Sequence, residues 1–289
     1  MINELRLSLG RTRPSLGRTR PLLSQETNLI DNYIKHCHEK IEGWLHPDAT
    51  TIITHIAQAQ NKFGIKGHVC EIWVHHGLLF ILLYLLTKSN ENAIAVDIFD
   101  KQYLNLDDSG KGDLEKFLNN LEYFAKDKRR LKVIAEDSTR ISADDIKSTA
   151  GGEIRLFSID GGHTADITRN DLRIASQSIC EGGVIILDDY FNGLFPAVSE
   201  GTNQFFLYDN DRDIVPFAIG TATANKLFLT SRNYADKYIE YLLEHDIENV
   251  GYSRQPEFFG HRVISFEFKL PSLKSLIWKR IKQKLQLRH

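Results

Sequence analysis

Cysteine is scarce. The chain has three in 289 residues, Cys37, Cys70 and Cys180, far apart and with no Cys-x-x-Cys pair. That excludes a disulfide framework and a zinc knuckle and fits reduced thiols in a cytosolic protein. Long hydrophobic runs are also missing: the most apolar stretch, Leu78–Leu86, has nine residues, less than half of the ~20 that span a bilayer, and reads as a buried helix. The Arg-rich N-terminus has no apolar run before a small-residue cleavage site. No secretory signal is therefore expected, and the protein is read as soluble and cytoplasmic. The pattern G-x-G-x-x-G does not follow the first apolar strand, which removes the main mark of a nicotinamide-dependent oxidoreductase.

Net charge is low at −2, with 42% apolar and 26% charged residues, ordinary values for a globular protein. The low sum hides an uneven distribution. Residues 1–21 carry +4 and residues 274–289 carry +6, so the body between them carries −12 against the chain's −2. A body this acidic lacks the basic face that nucleic acid needs, and no nucleic-acid partner is expected. Residues 8–14 and 15–21 repeat SLGRTRP without change. With glycine, proline and no apolar periodicity, residues 1–25 read as a flexible arm.

From Glu26 to Gln60 apolar residues recur at helical spacing, interrupted at Pro47–Asp48, so residues 26–66 form a helical cap. Beyond Gly67, strands alternate with helices. Five short Val/Ile-rich runs are read as strands: His68–Val74, Ala93–Asp97, Leu131–Glu136, Ile154–Ile159 and Gly183–Leu187. Lys226–Leu229 and Arg262–Lys269 add two more, with Tyr234–Glu244 as the helix between them. This is an α/β chain with one doubly wound, mainly parallel, seven-stranded sheet over residues 67–270.

In open sheets of this kind, ligands bind beyond the carboxyl ends of the strands. In chain order those ends carry Glu71 and Gly77 (EIWVHHG), Asp97 (AVDIFD), Asp137 and Ser138 (AEDST), Asp160 and His163 (IDGGHT), and Asp188 and Asp189 (LDDY). Asp160, Asp188 and Asp189 would repel one another unless protons or a cation held them, and an all-oxygen set suits Mg²⁺. Adjacent aspartates after a strand also serve as plain turn residues. His163, three residues beyond Asp160, is placed to act as a general base. Asp166 reads as a first-turn helix acid. Asp97 stands where a nucleoside-binding fold puts an acid for the ribose hydroxyls.

These strand ends, and above all IDGGH followed by GGVIILDDY, resemble the class I S-adenosylmethionine-dependent methyltransferases. The similarity is greatest to the metal-dependent sugar O-methyltransferases of macrolide biosynthesis and extends over about residues 65–270. The resemblance implies a cofactor site in which Glu71 and Gly77 line the methionine and ribose part, Asp97 holds the ribose hydroxyls, and Asp137 and Ser138 lie beside the adenine. It implies Asp160, Asp188 and Asp189 as Mg²⁺ ligands and His163 as the base. The chain departs from the family at Trp73, where the family usually has the first glycine of E-I-G-x-x-x-G. Either Trp73 points away or it narrows the methionine pocket, and a binding or scaffold protein with a closed site is the competing reading. His75 and His76 are adjacent on a loop and are expected to diverge rather than to share a metal.

Two further segments carry expectations. Tyr190–Phe206, aromatic and glycine-containing, is read as shaping the pocket of a small-molecule or glycan acceptor. Residues 271–289 place Leu273, Leu276, Ile277, Ile281 and Leu285 on one helical face among Lys and Arg. That is the pattern of a helix lying on an anionic membrane surface, of a solvated terminal helix, or of a contact within a homo-oligomer.

Overall fold

The structure is a computed structural model that describes residues 22–105, 110–220, 225–245 and 252–267. The SLGRTRP repeat and the 271–289 segment lie outside the described residues. Two helices, α1 (Leu22–Lys40) and α2 (Pro47–Phe63), precede the sheet. Pro47 opens α2, where its fixed φ is already helical, and Gly64 in a left-handed conformation closes it. The αβ alternation then runs β1 (His68–Ile72), α3 (Phe80–Leu85), β2 (Ala93–Val96), α4 (Leu114–Ala125), β3 (Leu131–Ile134), α5 (Ala143–Ala150), β4 (Ile154–Ile159), α6 (Ala165–Ser178) and β5 (Ile179–Asp188). It ends with α7 (Pro196–Tyr208), β6 (Ile214–Gly220), β7 (Lys226–Ser231), α8 (Arg232–Glu244) and four short strands, β8 (Tyr252–Arg254), β9 (Glu257–Phe258), β10 (His261–Arg262) and β11 (Ile264–Glu267).

The main sheet has the order β3-β2-β1-β4-β5-β7-β6-β11-β8. Strands β1 to β5 pair in parallel, and β7 runs antiparallel to both β5 and β6. The mainly parallel sheet agrees with expectation, but it has nine strands where seven were expected, the added ones being β6 and β8. Ile214–Gly220 forms a strand that the sequence reading passes over, because Pro216 interrupts it and the pairing shifts register between Pro216 and Ala218. The run read as one strand from Arg262 divides at Val263: its first part turns back as a hairpin with β9, and its second extends the sheet beside β6.

Both faces of the sheet are covered, so the central strands are apolar throughout rather than alternating. On β2, Ala93 and Ala95 enter the core beneath α3 and α4, whereas Ile94 and Val96 enter the core shared with α5 and α6. Helix α1 packs on α3 and α4, and α2 packs on α8. The buried Tyr33 hydroxyl of α1 donates to the Leu78 carbonyl, which fixes the cap against the start of α3.

Arg155 of β4 is 1% exposed. Its guanidinium grips Glu91 through Nε (3.1 Å) and Nη2 (2.9 Å), and also donates to Gln60 Oε1 and the Leu86 carbonyl at 2.8 Å each. One side chain thus joins the central strand, the cap helix α2 and the loop entering β2. Removing one partner of such a pair strands a buried charge, so Glu91→Ala is expected to cost about 3–5 kcal/mol of stability, measured as the shift in urea unfolding.

Candidate functional site

The chain order reverses between β1 and β4, and the candidate site opens beyond the carboxyl ends of these strands. The loop leaving β1 turns sharply: Trp73 (φ 68°), His75 (φ 52°) and Gly77 (φ 89°) all occupy the left-handed region. Only glycine adopts it freely, and each Cβ-bearing residue there costs roughly 1–2 kcal/mol. The neighbours enforce it: Trp73 N donates to the Val96 carbonyl and His75 N to Asp97 Oδ2, both at 2.8 Å. Tryptophan thus stands at position 73 in a backbone conformation that glycine adopts freely, so its replacement of the family's glycine brings strain as well as size.

A cavity of about 160 Å³ lies above this loop, lined by Trp73, Asp97, Asp137, Ser138 and His163 together with apolar residues that include Val96 and Ile98. Of the residues assigned to the cofactor, three line it. Asp97 is 3% exposed; its Oδ2 accepts from His75 N and its Oδ1 from Phe99 N at 2.6 Å. Burial raises its carboxyl above the usual range against these bonds. Asp137 caps a short 3-10 turn, accepting from Thr139 N at 2.8 Å. Ser138 is buried beside it. The other two stand back. Glu71 is buried within β1, with its carboxyl pushed well up by burial, and Gly77 packs where a Cβ would lie 2.7 Å from the Phe117 ring. Trp73 does not point away from the site: it forms one wall of the cavity and packs partly on the core. His75 and His76 stack on each other at 3.8 Å rather than diverging.

The acids gather at the ends of β4 and β5. Asp160, His163 and Asp189 each present a ligand atom, all within 4.8 Å of one another. His163 Nε2 lies 3.2 Å from Asp189 Oδ2, and its ring stacks on Phe195 at 3.6 Å. Asp189 (φ 62°) also accepts from Asn192 Nδ2 (2.9 Å) and Asn225 Nδ2 (2.7 Å). Burial would raise the Asp189 carboxyl, but the bonds from His163 and Asn192 and the nearby charges hold it below the usual range. Asp160 moves the other way, well up, through burial and the negative charge of Asp188. Asp188, assigned with these two as a metal ligand, lies against the same small cavity, but its Oδ2 is held by Lys226 Nζ.

Sequence reasoning missed two charged residues here. Lys226 opens β7 and is paired with Asp188 by antiparallel register; a strand signal does not reveal its partner. Burial would lower its ammonium pKa, but Asp188, Asp160 and Glu71 hold it above the usual value. Asp171 of α6 is fully buried and faces the acidic cavity, with its Oδ2 unpartnered and burial pushing its carboxyl up to about 7. Its spacing with Thr168, Leu172 and Ala175 marks a buried helix face and was a legible signal. Asp166, by contrast, is an exposed first-turn acid, as expected.

The residues present fit both groups that the family resemblance implies. The cofactor cavity combines apolar walls with Asp97 and Ser138. The acidic cavity pairs two carboxylates and an imidazole with an unpartnered buried oxygen, a donor set that a divalent cation would satisfy. Asp160 and Asp189 are the carboxylates placed to hold it, with His163 beside them.

Residues 70–190 match the family described as a methyltransferase domain. No curated protein sequence matches the chain. Among solved structures, the O-methyltransferase NovP superposes with a TM-score of 0.54 at 12% identity, covering 71% of this chain and 99% of NovP. Looser likenesses, each with a TM-score of 0.46, are to TomG of Streptomyces achromogenes (14% identity, 70% of this chain, 87% of TomG) and PaMTH1 of Podospora anserina (13%, 78% and 100%). By the match over residues 70–190 and by its mainly parallel sheet, this part of the chain is similar to methyltransferase domains, and its fold is the Rossmann-like one that NovP has.

Proposed function

We propose that the protein is an S-adenosylmethionine-dependent, Mg²⁺-assisted O-methyltransferase acting on a hydroxyl of a sugar, glycolipid or glycosylated metabolite. One observation carries this reading: His163 lines both the cofactor cavity and the acidic cavity, and Asp189 holds its ring. A base at that junction can reach an acceptor hydroxyl standing between the two. The likeness to NovP, itself an O-methyltransferase, supports oxygen as the atom methylated.

When bound, S-adenosylmethionine supplies an electrophilic methyl carbon, and Mg²⁺ makes a nearby hydroxyl more acidic. The chain's own residues do the rest. Trp73 and Ser138 confine the cofactor, and Asp97 fixes the loop beneath it through two backbone amides. His163 would take the proton that the acceptor hydroxyl gives up as its oxygen is methylated, with the acceptor held in line by the walls of the site. Asp189, held ionised, stabilises the imidazolium that forms. Phe195 backs the His163 ring, and Tyr190, Phe191 and Phe258 cluster beside it, an aromatic surface suited to the face of a sugar ring. Among the described residues no helix is long and apolar enough to cross a membrane.

Calorimetry with S-adenosylhomocysteine is expected to show binding by the parent chain. Binding only after Trp73→Gly would instead establish the closed-site scaffold reading. His163→Ala is expected to lower kcat by about 10²–10⁴-fold while cofactor binding persists. Asp160→Ala is expected to abolish stimulation by Mg²⁺ in the same assay; unchanged activity in both variants would remove the mechanism.

A further inference from the structure

Lys226 has no place in the reaction described above, yet it sits at the centre of the site's charge. It is 2% exposed, stands directly opposite Asp188 in the β5–β7 ladder, and closes an ion pair on Asp188 Oδ2. The other oxygen of Asp188 accepts from Asp189 N at 3.0 Å, so neither of its oxygens is without a donor. The ligand atoms that do converge belong to Asp160, His163 and Asp189. The small cavity they line is also lined by the fully buried Asp171, whose Oδ2 has no hydrogen-bond partner.

We propose that Lys226 is a built-in counter-cation that withholds Asp188 from the divalent ion, leaving a metal site formed by the carboxylates of Asp160 and Asp189 beside His163. The inference rests on the metal-assisted reading above. Its physical basis is competition. An ammonium and a divalent ion cannot both neutralise the same carboxylate cheaply, and a buried lysine tethered by its own strand is present at an effective concentration that free Mg²⁺ does not match. Lys226 therefore keeps the cluster folded without metal and limits how tightly metal binds.

The test is Mg²⁺ titration of the full chain, followed by calorimetry and by the metal-induced shift in Tm. Lys226→Met keeps an apolar stem of similar length and releases Asp188; Lys226→Gln is the second variant should the methionine form fail to fold by circular dichroism. Mg²⁺ affinity is expected to rise by about tenfold or more in the variant, with a larger Tm shift than in the parent. Adding Asp188→Asn to the same chain is expected to return affinity to near the parent's. Unchanged or weaker Mg²⁺ binding in the single variants, no Mg²⁺ binding by any form, or a double variant that stays as tight as the single one would overturn the proposal. S-adenosylhomocysteine calorimetry on the same samples keeps the two readings apart. Cofactor binding that persists where Mg²⁺ behaviour contradicts the proposal leaves the methyltransferase reading in place.

Discussion

Concentrated negative charge at the carboxyl ends of β4 and β5 is the constraint on which the rest of the site depends. Glu71, Asp160, Asp188 and Asp189 share a region largely shut off from water, where repulsion is poorly screened. The chain answers with Lys226 on one side and the His163, Asn192 and Asn225 donors on the other. These partners divide the acids into unlike roles. Asp189 is kept ionised below its usual range, whereas Asp160 is driven upward and gains most from an added cation. A single buried lysine thus makes the fold compatible with a site that would otherwise oppose it.

The second constraint is backbone conformation. The β1 loop places three alternate residues in the left-handed region, two of them bearing side chains. Asp97 holds that loop by accepting from His75 N while lining the larger cavity, so the same carboxylate serves architecture and candidate site. Strain maintained by surrounding hydrogen bonds is typical of a binding site whose shape is set before the ligand arrives. The indole of Trp73 then forms one wall of the cavity.

Much of this was legible in the sequence, for identifiable reasons. The five parallel strands declare themselves as short Val/Ile-rich runs because both faces of each are buried, and IDGGH and LDDY mark the acidic ends because ligands collect there. Other features were not legible. Ile214–Gly220 is hidden by Pro216, which the sheet tolerates through a shift of register. Lys226 looks like an ordinary polar residue at a strand start, since nothing local says that β7 runs antiparallel to β5 and meets Asp188. Asp171 carries a burial pattern but gives no hint of the cavity it faces.

By itself the sequence determined the class of fold, the order of the acids along the sheet edge and the residue types available at the candidate site. Those follow from local periodicity and from the position of each residue relative to its own strand. Only the tertiary structure decided which acid meets which cation, that Trp73 walls the cavity, and that His163 stands between the two cavities. Such pairings depend on register between segments far apart in the chain, and side-chain electrostatics act over a few ångströms of space, irrespective of distance along the sequence.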